Sequence, residues 1–316
     1  MPKTIHVAAG ALIDAQGRVL IARRHEHAHQ GGLWEFPGGK CEPGEGAEAA
    51  LQRELHEELG VTIGAHRPLI RLTHHYPDRS VLLDVHRVDQ WSGEPHGREG
   101  QPLAWVGPGE LGDYPMPAAD VPIVRALQLP DRYLITPTSA SHAGHFLAGL
   151  EGALQQGVRL VQLRVFDLDA GTHLALARRA LQRCQAHGAR LLINGAAALP
   201  AEIGAAGVHL SSRQLRGLQA RPAGDGLLAA SCHNAQDLQL AQDIGVDFVV
   251  LSPVLPTRSH PDAAPLGWAH FSELVDRLAI PVYALGGMQP ALMQQAWQSG
   301  AQGVAGIRGL WPQTLD

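Results

Sequence analysis

Three carboxylates one helical turn apart are the strongest chemical feature of this sequence. Glu54, Glu57 and Glu58 stand at i, i+3 and i+4, a spacing that puts their side chains on one face of an α-helix. Like charges that close repel, and a hard divalent cation with oxygen ligands neutralises them. On the opposite face Ala47, Ala50, Leu51, Leu55 and Leu59 recur at three- and four-residue steps. The stretch 47–59 therefore reads as an amphipathic helix with its acidic side turned outward. Pro43 and Gly44 turn the chain into the helix, and Gly60 stands where a left-handed C-cap belongs. Glu45 and Arg53 flank the helix with opposite charge and can pair to orient the incoming loop.

The elements that must position this helix read as strands. Residues 5–13 form one strand, 14–17 a turn, and 19–23 its hairpin partner. A loop containing Gly and His leads to Trp34, Glu35, Phe36 and a Pro37-Gly38-Gly39 turn, and strand-like runs follow at 69–76, 80–88 and 103–106. His25, His27 and His29 alternate in that loop, a weak pattern for a metal site without further ligands.

The positions Gly39, Glu45, Arg53, Glu54, Glu57, Glu58 and Gly60 follow the pattern G-x5-E-x7-R-E-U-x-E-E-x-G-U, with U aliphatic. All its fixed positions match the Nudix box, so the region resembles a Nudix hydrolase. Outside the box, Ile21-Ala22-Arg23-Arg24, Glu35 through Lys40, Tyr76-Pro77-Asp78-Arg79, and Gly97 through Pro102 with Trp105 are similar to the MutT branch, the 8-oxo-dGTP pyrophosphohydrolases. The resemblance implies an α/β/α sandwich that acts on a nucleoside triphosphate with Mg2+, or Mn2+ in its place. It also implies that the Gly38 carbonyl, Glu54, Glu57, Glu58 and Glu99 hold the metals. Glu54 would orient or deprotonate the attacking water, with Glu99 the other candidate and Arg53 the third member of the catalytic group. Arg24, Phe36, Asp78 and Arg79 would line the nucleotide pocket. Where MutT relatives read the base with an Asn beside a Pro, this chain has Asp120. An ionised Asp only accepts hydrogen bonds, so it would hold guanine through N1–H and the 2-amino group.

A polar break at 128–132 ends this region, and the sequence period then changes. Eight apolar runs, at 133–135, 159–163, 190–193, 207–210, 227–231, 248–251, 282–285 and 303–307, alternate with helical patterns such as 174–186 and 235–244. That order reads as a (β/α)8 TIM-type barrel. The expected domains are residues 1–129 and 130–316. The strand ends at Gly286-Gly287-Met288 and Gly306-Ile307-Arg308-Gly309 suit backbone contacts to a phosphate.

Gln162-Leu163-Arg164, Ile193-Asn194, Gly207-Val208-His209-Leu210, Ser231-Cys232-His233 and residues 252–257 resemble thiamine-phosphate synthase and its TenI relatives. A thiazole phosphate is the ligand this implies, on Gly286, Gly287, Ile307 and Arg308. The departures are chemical. The synthase's Lys beyond the Arg is Phe166, its two metal-binding Asp positions are Gly195 and Gln214, and its later Lys is His260. The histidine of the TenI tautomerases is missing from the Ser252-Pro253-Val254 step. Without the two carboxylates a Mg-diphosphate loses its anchors, so the barrel reads as catalytically degenerate, or as a module that binds a thiazole phosphate. A Nudix hydrolase of thiamine-pathway diphosphates is the alternative that the joined barrel suggests.

Composition sets outer bounds. The chain has 316 residues, 45% hydrophobic and 17% charged, enough for two cores. A formal net charge of −5 argues against a general nucleic-acid binder. Cys41, Cys184 and Cys232 give no disulfide framework, which fits a reducing cytoplasm. No signal peptide or membrane span is expected. Oligomeric state is not legible.

Overall fold

In a computed structural model the chain is described over residues 4–27, 30–195, 199–257 and 263–312. It divides into two compact units. The first runs to Gln128 and includes the short stretch Asp276–Ala279; the second is the rest.

The first unit is built on β1 (Thr4–Leu12), β2 (Val19–Arg23), β3 (Trp34–Glu35), β4 (Gly38–Lys40), helix α1 (Ala47–Leu59), β5 (Thr62–Ile63), β6 (His66–His75), β7 (Ser80–Val88), β8 (Trp91–Ser92), β9 (Leu103–Val106) and helix α2 (Val121–Gln128). Its main sheet has the order β4-β1-β7-β6, with β1 parallel to β7 and antiparallel to β4. The period of two along β1 separates two cores. Ala8 and Leu12 pack with Leu51, Leu55 and Leu59 of α1. Ala9 and Ala11 pack with Leu83, Val85 and, from α2, Ile123 and Ala126. Helix α1 therefore covers one face of the sheet and α2 the other. Gly10 lets α1 approach closely, because a Cβ there would stand 2.8 Å from Leu55 Cδ1.

One expectation is corrected. β2 forms no ladder with β1; among the described residues the hairpin pairs only at an isolated Ile13–Val19 bridge. β2 pairs instead with β3 and β9 in a separate three-stranded sheet. β7 runs the length of one edge of β1, and on the other β4 takes Val7–Ala9. The turn itself forms, held by the Asp14 carboxylate, which accepts from the N–H groups of Gln16 and Arg18 at 3.0 and 2.8 Å.

The second unit is a closed barrel of eight parallel strands: β10 (Arg132–Ile135), β11 (Leu160–Leu163), β12 (Arg190–Asn194), β13 (Gly207–Leu210), β14 (Leu227–Cys232), β15 (Phe248–Leu251), β16 (Val282–Ala284) and β17 (Gly303–Gly306). They correspond to the eight apolar runs. Tyr133, Ile135, Leu160, Leu192, Ala229, Phe248 and Tyr283 fill the interior. Tyr133 and Phe248 meet edge to face at 5.2 Å. A second core of aliphatic residues lies between strands and outer helices, where Val161, Leu163, Leu191 and Ile193 meet Leu176, Ala180 and Cys184. Among the described residues no helix is long and apolar enough to cross a membrane.

Candidate functional site

Helix α1 ends at Gly60, which adopts the left-handed conformation at φ 72° and donates its N–H to the His56 carbonyl. The three carboxylates occupy the last two turns, at the negative end of the helix dipole, where acidic groups are disfavoured. A loop from a distant part of the sequence compensates. Arg98 donates its backbone N–H to the Glu58 carbonyl at 3.0 Å and its guanidinium to the His56 carbonyl at 2.9 Å. Gln101 donates its amide to the Glu58 carbonyl at 3.2 Å, and its side-chain oxygen accepts from the Glu99 N–H at 2.9 Å. This capping loop carries Glu99 to the acidic helix face.

Arg53 fastens the other side. It forms a two-pronged pair with Glu45 at 3.0 and 2.9 Å, as the opposite charges led one to expect. It also donates to the Lys40 carbonyl, to Glu54 at 2.8 Å and to Glu57 at 3.2 Å. Glu45 and Glu54 together hold the guanidinium above its ordinary pKa. Arg53 touches three carboxylates and positions them.

Glu58 reaches the sheet edge and accepts the Gly38 N–H at 3.0 Å. Burial raises its carboxyl to about 7, with Glu35, Glu54 and Glu99 adding to the rise against the Gly38 bond. Four carboxylates thus crowd one another, and the donor set is all oxygen, which suits a hard divalent cation. Among the described residues no three acidic, His or Cys side chains stand close enough together to enclose a cation as they are. Arg53 holds Glu54 and Glu57 in its own ion pairs, so these would turn to reach a metal. Gly39 leaves room for Glu54: a Cβ at that position would fall 2.3 Å from the Glu54 carboxyl carbon. Gly39→Ala is therefore expected to displace Glu54 and lower kcat by about tenfold or more, an effect of misplacing a reacting-site group by an ångström or so. The melting temperature should stay unchanged, and steady-state kinetics with a thermal melt checks both.

On the face of the sheet away from α1 lies a cavity of about 450 Å3. Its floor is Val7, Ala9, Val81 and Leu83. Glu58, Gly38 and Gly39 stand on its wall, as do Arg24, Phe36, Arg79 and Asp120. Of the expected pocket residues only Asp78 is absent from the lining; it is exposed and pairs with Arg79, accepting from Nε at 2.8 Å. Asp78 thus steadies Arg79.

Two features of the pocket were not foreseen. Glu35 lines the wall and pairs with Arg24, and burial raises its pKa despite that cation. Its place in the Glu35-Phe36-Pro37-Gly38 run was the available signal. Asp120 is only 7% exposed, and its Oδ2 is buried without a hydrogen-bond partner. Burial, then Glu35, pushes its carboxyl up to about 7, against a lowering by Arg24. Raised so far, Asp120 is partly neutral at neutral pH, and in that form it both donates and accepts, whereas its ionised form only accepts.

His25 and His27 join no metal-ligand group among the described residues; His29 lies outside them.

In the barrel a cavity of about 630 Å3 opens at the C-terminal strand ends, lined by Gly286, Gly287, Ile307, Arg308 and Gly309 with His233, Ser252 and Thr257. All four proposed phosphate contacts lie there. His233 Nδ1 stands 2.9 Å from the Ser252 carbonyl, which can only accept, so this nitrogen carries the proton. The substituted synthase positions bond to each other. Gln214 donates to the Gly195 carbonyl at 2.8 Å, and its side-chain oxygen accepts from the Ser211 N–H at 2.9 Å. His260 falls outside the described residues.

Residues 8–126 match the NUDIX domain family and residues 132–310 the thiamine monophosphate synthase family. The chain belongs to both, joining a Nudix hydrolase to a synthase-type barrel. The first part is 37% identical to the 8-oxo-dGTP diphosphatase of Escherichia coli over 126 residues, 40% of this chain and 98% of that one. It is 38% identical to the Escherichia coli CTP pyrophosphohydrolase over 124 residues, 39% of this chain and 91% of that one. The second part is 31% identical to the thiamine-phosphate synthase of Thioalkalivibrio sulfidiphilus over 182 residues, 57% of this chain and 86% of that one. The hydrolase half is thus a Nudix hydrolase related to 8-oxo-dGTP diphosphatases.

Proposed function

We propose that residues 1–129 hydrolyse 8-oxo-dGTP and similar oxidised purine nucleoside triphosphates to the monophosphate and diphosphate, clearing the nucleotide pool before DNA replication. The observation that carries this reading is the single cavity with Glu58, Gly38 and Gly39 at one part of its wall and Asp120, Arg24 and Phe36 at another. The first group suits a triphosphate, the second a base.

Glu54, Glu57, Glu58, Glu99 and the Gly38 carbonyl would hold Mg2+ or Mn2+, which supplies charge neutralisation on the phosphates when bound. Glu54 orients or deprotonates the attacking water, with Glu99 the other candidate, while Arg53 positions Glu54. Phe36 offers an apolar surface to the base, and Asp120 reads its polar edge.

Substrate choice is tested by comparing kcat/KM for 8-oxo-dGTP, dGTP, CTP and thiamine diphosphate. The highest value should belong to 8-oxo-dGTP. Preference for CTP would move the chain toward its other relative, and preference for thiamine diphosphate would tie the hydrolase to the barrel's chemistry.

Residues 130–316 are the second domain, without synthase activity. Given the pyrimidine diphosphate and the thiazole phosphate, the purified chain should form no thiamine phosphate, because Phe166, Gly195 and Gln214 stand where the synthase has Lys, Asp and Asp. Product formed over multiple turnovers, and lost on mutation of barrel residues, would overturn this.

A further inference from the structure

One loop closes over the C-terminal end of α1. In it His96 donates its N–H to the Leu59 carbonyl at 3.2 Å, and Arg98 donates its own to the Glu58 carbonyl at 3.0 Å. The His56 carbonyl accepts from the Gly60 N–H and from the Arg98 guanidinium. These bonds already cap the helix. Gln101 adds to them without being needed for them: its amide reaches the Glu58 carbonyl at 3.2 Å, which the Arg98 N–H already serves. What Gln101 supplies beyond a cap is its second bond, in which the side-chain oxygen accepts the Glu99 N–H at 2.9 Å.

The orientation of this amide is fixed by its partners. A carbonyl only accepts and an N–H only donates, so the nitrogen faces Glu58 and the oxygen faces Glu99. Gln101 is 9% exposed, an uncommon state for a glutamine. The loop makes room for it with glycine: a Cβ on Gly97 would stand 2.1 Å from the Gln101 carbonyl oxygen and 3.0 Å from its side-chain oxygen. Gly100 closes the turn at φ 80° and donates to the Gly97 carbonyl at 3.0 Å. Glu99 itself is exposed, so the reach of its carboxylate depends on where the turn holds its backbone. One buried side chain thus ties the backbone of Glu58, at the end of α1, to the backbone of Glu99 in a distant loop.

We propose that Gln101 is a positioning residue for the metal group: it holds Glu99 against Glu58, and metal affinity falls when that tie is cut. The inference rests on the reading that Glu58 and Glu99 hold a divalent cation, and not on which nucleotide is hydrolysed. Gln101 acts through the Glu99 N–H, without being a ligand itself. Partners that orient metal ligands in this way are worth about 10- to 100-fold in metal affinity. A residue that only capped α1 would instead contribute to stability and leave affinity unchanged.

The test reads Mn2+ binding to the full chain, with free Mn2+ counted by electron paramagnetic resonance, so that no turnover is needed. Gln101→Met removes both bonds at similar volume. The Glu58 carbonyl keeps the Arg98 N–H, and the freed Glu99 N–H belongs to an exposed residue within reach of water. The expected result is a Kd raised by about tenfold or more. Gln101→Asn, a methylene shorter, keeps an amide that cannot span both partners and should show the same loss. Arg98→Gln also breaks a cap bond but spares the tie, and it should not weaken binding. In a Glu99→Gln background Gln101→Met should cause no further loss, because the ligand it positions is gone. Wild-type Kd in folded Gln101→Met and Gln101→Asn, an equal loss in Arg98→Gln, or full additivity with Glu99→Gln would each overturn the proposal. A wild type that binds no Mn2+ would overturn the metal reading, and this inference with it.

Discussion

Replacing Glu57 by Gln is expected to lower kcat by about 10²- to 10³-fold, the range seen when one preorganised charge-stabilising contact is removed. The fold should not notice. The Glu57 side chain is 58% exposed and its salt bridge is to Arg53 at 3.2 Å, a surface contact of small energetic weight. Gln keeps the shape and loses the charge. The loss should therefore appear in turnover and in Mg2+ affinity, while the melting temperature stays at the wild-type value. A folded Glu57→Gln protein that turns over at nearly the wild-type rate would remove Glu57 from the metal group.

Asp120 should make recognition of the oxidised base depend on pH. Its carboxyl is raised to about 7, so it is neutral below that pH and ionised above it. Facing it are Glu35 from β3, Arg24 after β2, and Tyr76 after β6, whose phenol is itself raised by burial and then by Asp120. In place of the N1–H and 2-amino donors that suit an ionised Asp120, a neutral carboxyl suits the other edge, where an oxidised guanine presents a carbonyl acceptor beside a new N7–H donor. A neutral carboxyl can pair with both, whereas an ionised one repels the carbonyl oxygen. KM for 8-oxo-dGTP should rise as pH passes upward through about 7. In Asp120→Asn, which donates and accepts at every pH, that rise should vanish. The ratio of wild type to Asn variant cancels titrations elsewhere in the site. Over the same interval an ionised Asp120 accepts from the amino group of cytosine, so selectivity for CTP should improve. Asp120→Ala should raise KM far more than it lowers kcat, since the contact is remote from the reacting phosphorus. Identical pH profiles for wild type and Asp120→Asn would place Asp120 outside base recognition.

The same carboxyl predicts a stability slope. Its folded pKa lies above the unfolded value, so its contribution is fully present below the unfolded pKa and is lost as pH rises through the folded one. Asp120→Asn should flatten this decline, which denaturant melts across pH 4–7 would measure (about the span from the usual carboxylate range to the raised value).

Local pattern was enough for much of this protein. The period of α1 and the spacing of Glu54, Glu57 and Glu58 are set by neighbours within four residues, and so is the Gly60 cap, because helix geometry is a local property. Each barrel strand also announced itself, since a strand buried on both faces must be apolar throughout. The Glu45–Arg53 pair followed from charge and nearness in sequence. Tertiary structure decided what depends on distant segments. β2 pairs with β3 and with β9, which comes about eighty residues later in the chain, rather than along β1. Glu99 reached the acidic face because Arg98 and Gln101 satisfy carbonyls at the end of α1, bonds that span about forty residues and leave no periodic trace. Arg53 became the partner of three carboxylates only once the loop through Lys40 had folded over it. The protonation of Asp120 was invisible in the sequence, because desolvation is a sum over everything packed around a group. A carboxyl in a chain of letters has no surroundings; the closing of Glu35, Arg24 and Tyr76 around it is what moves its proton into the neutral range.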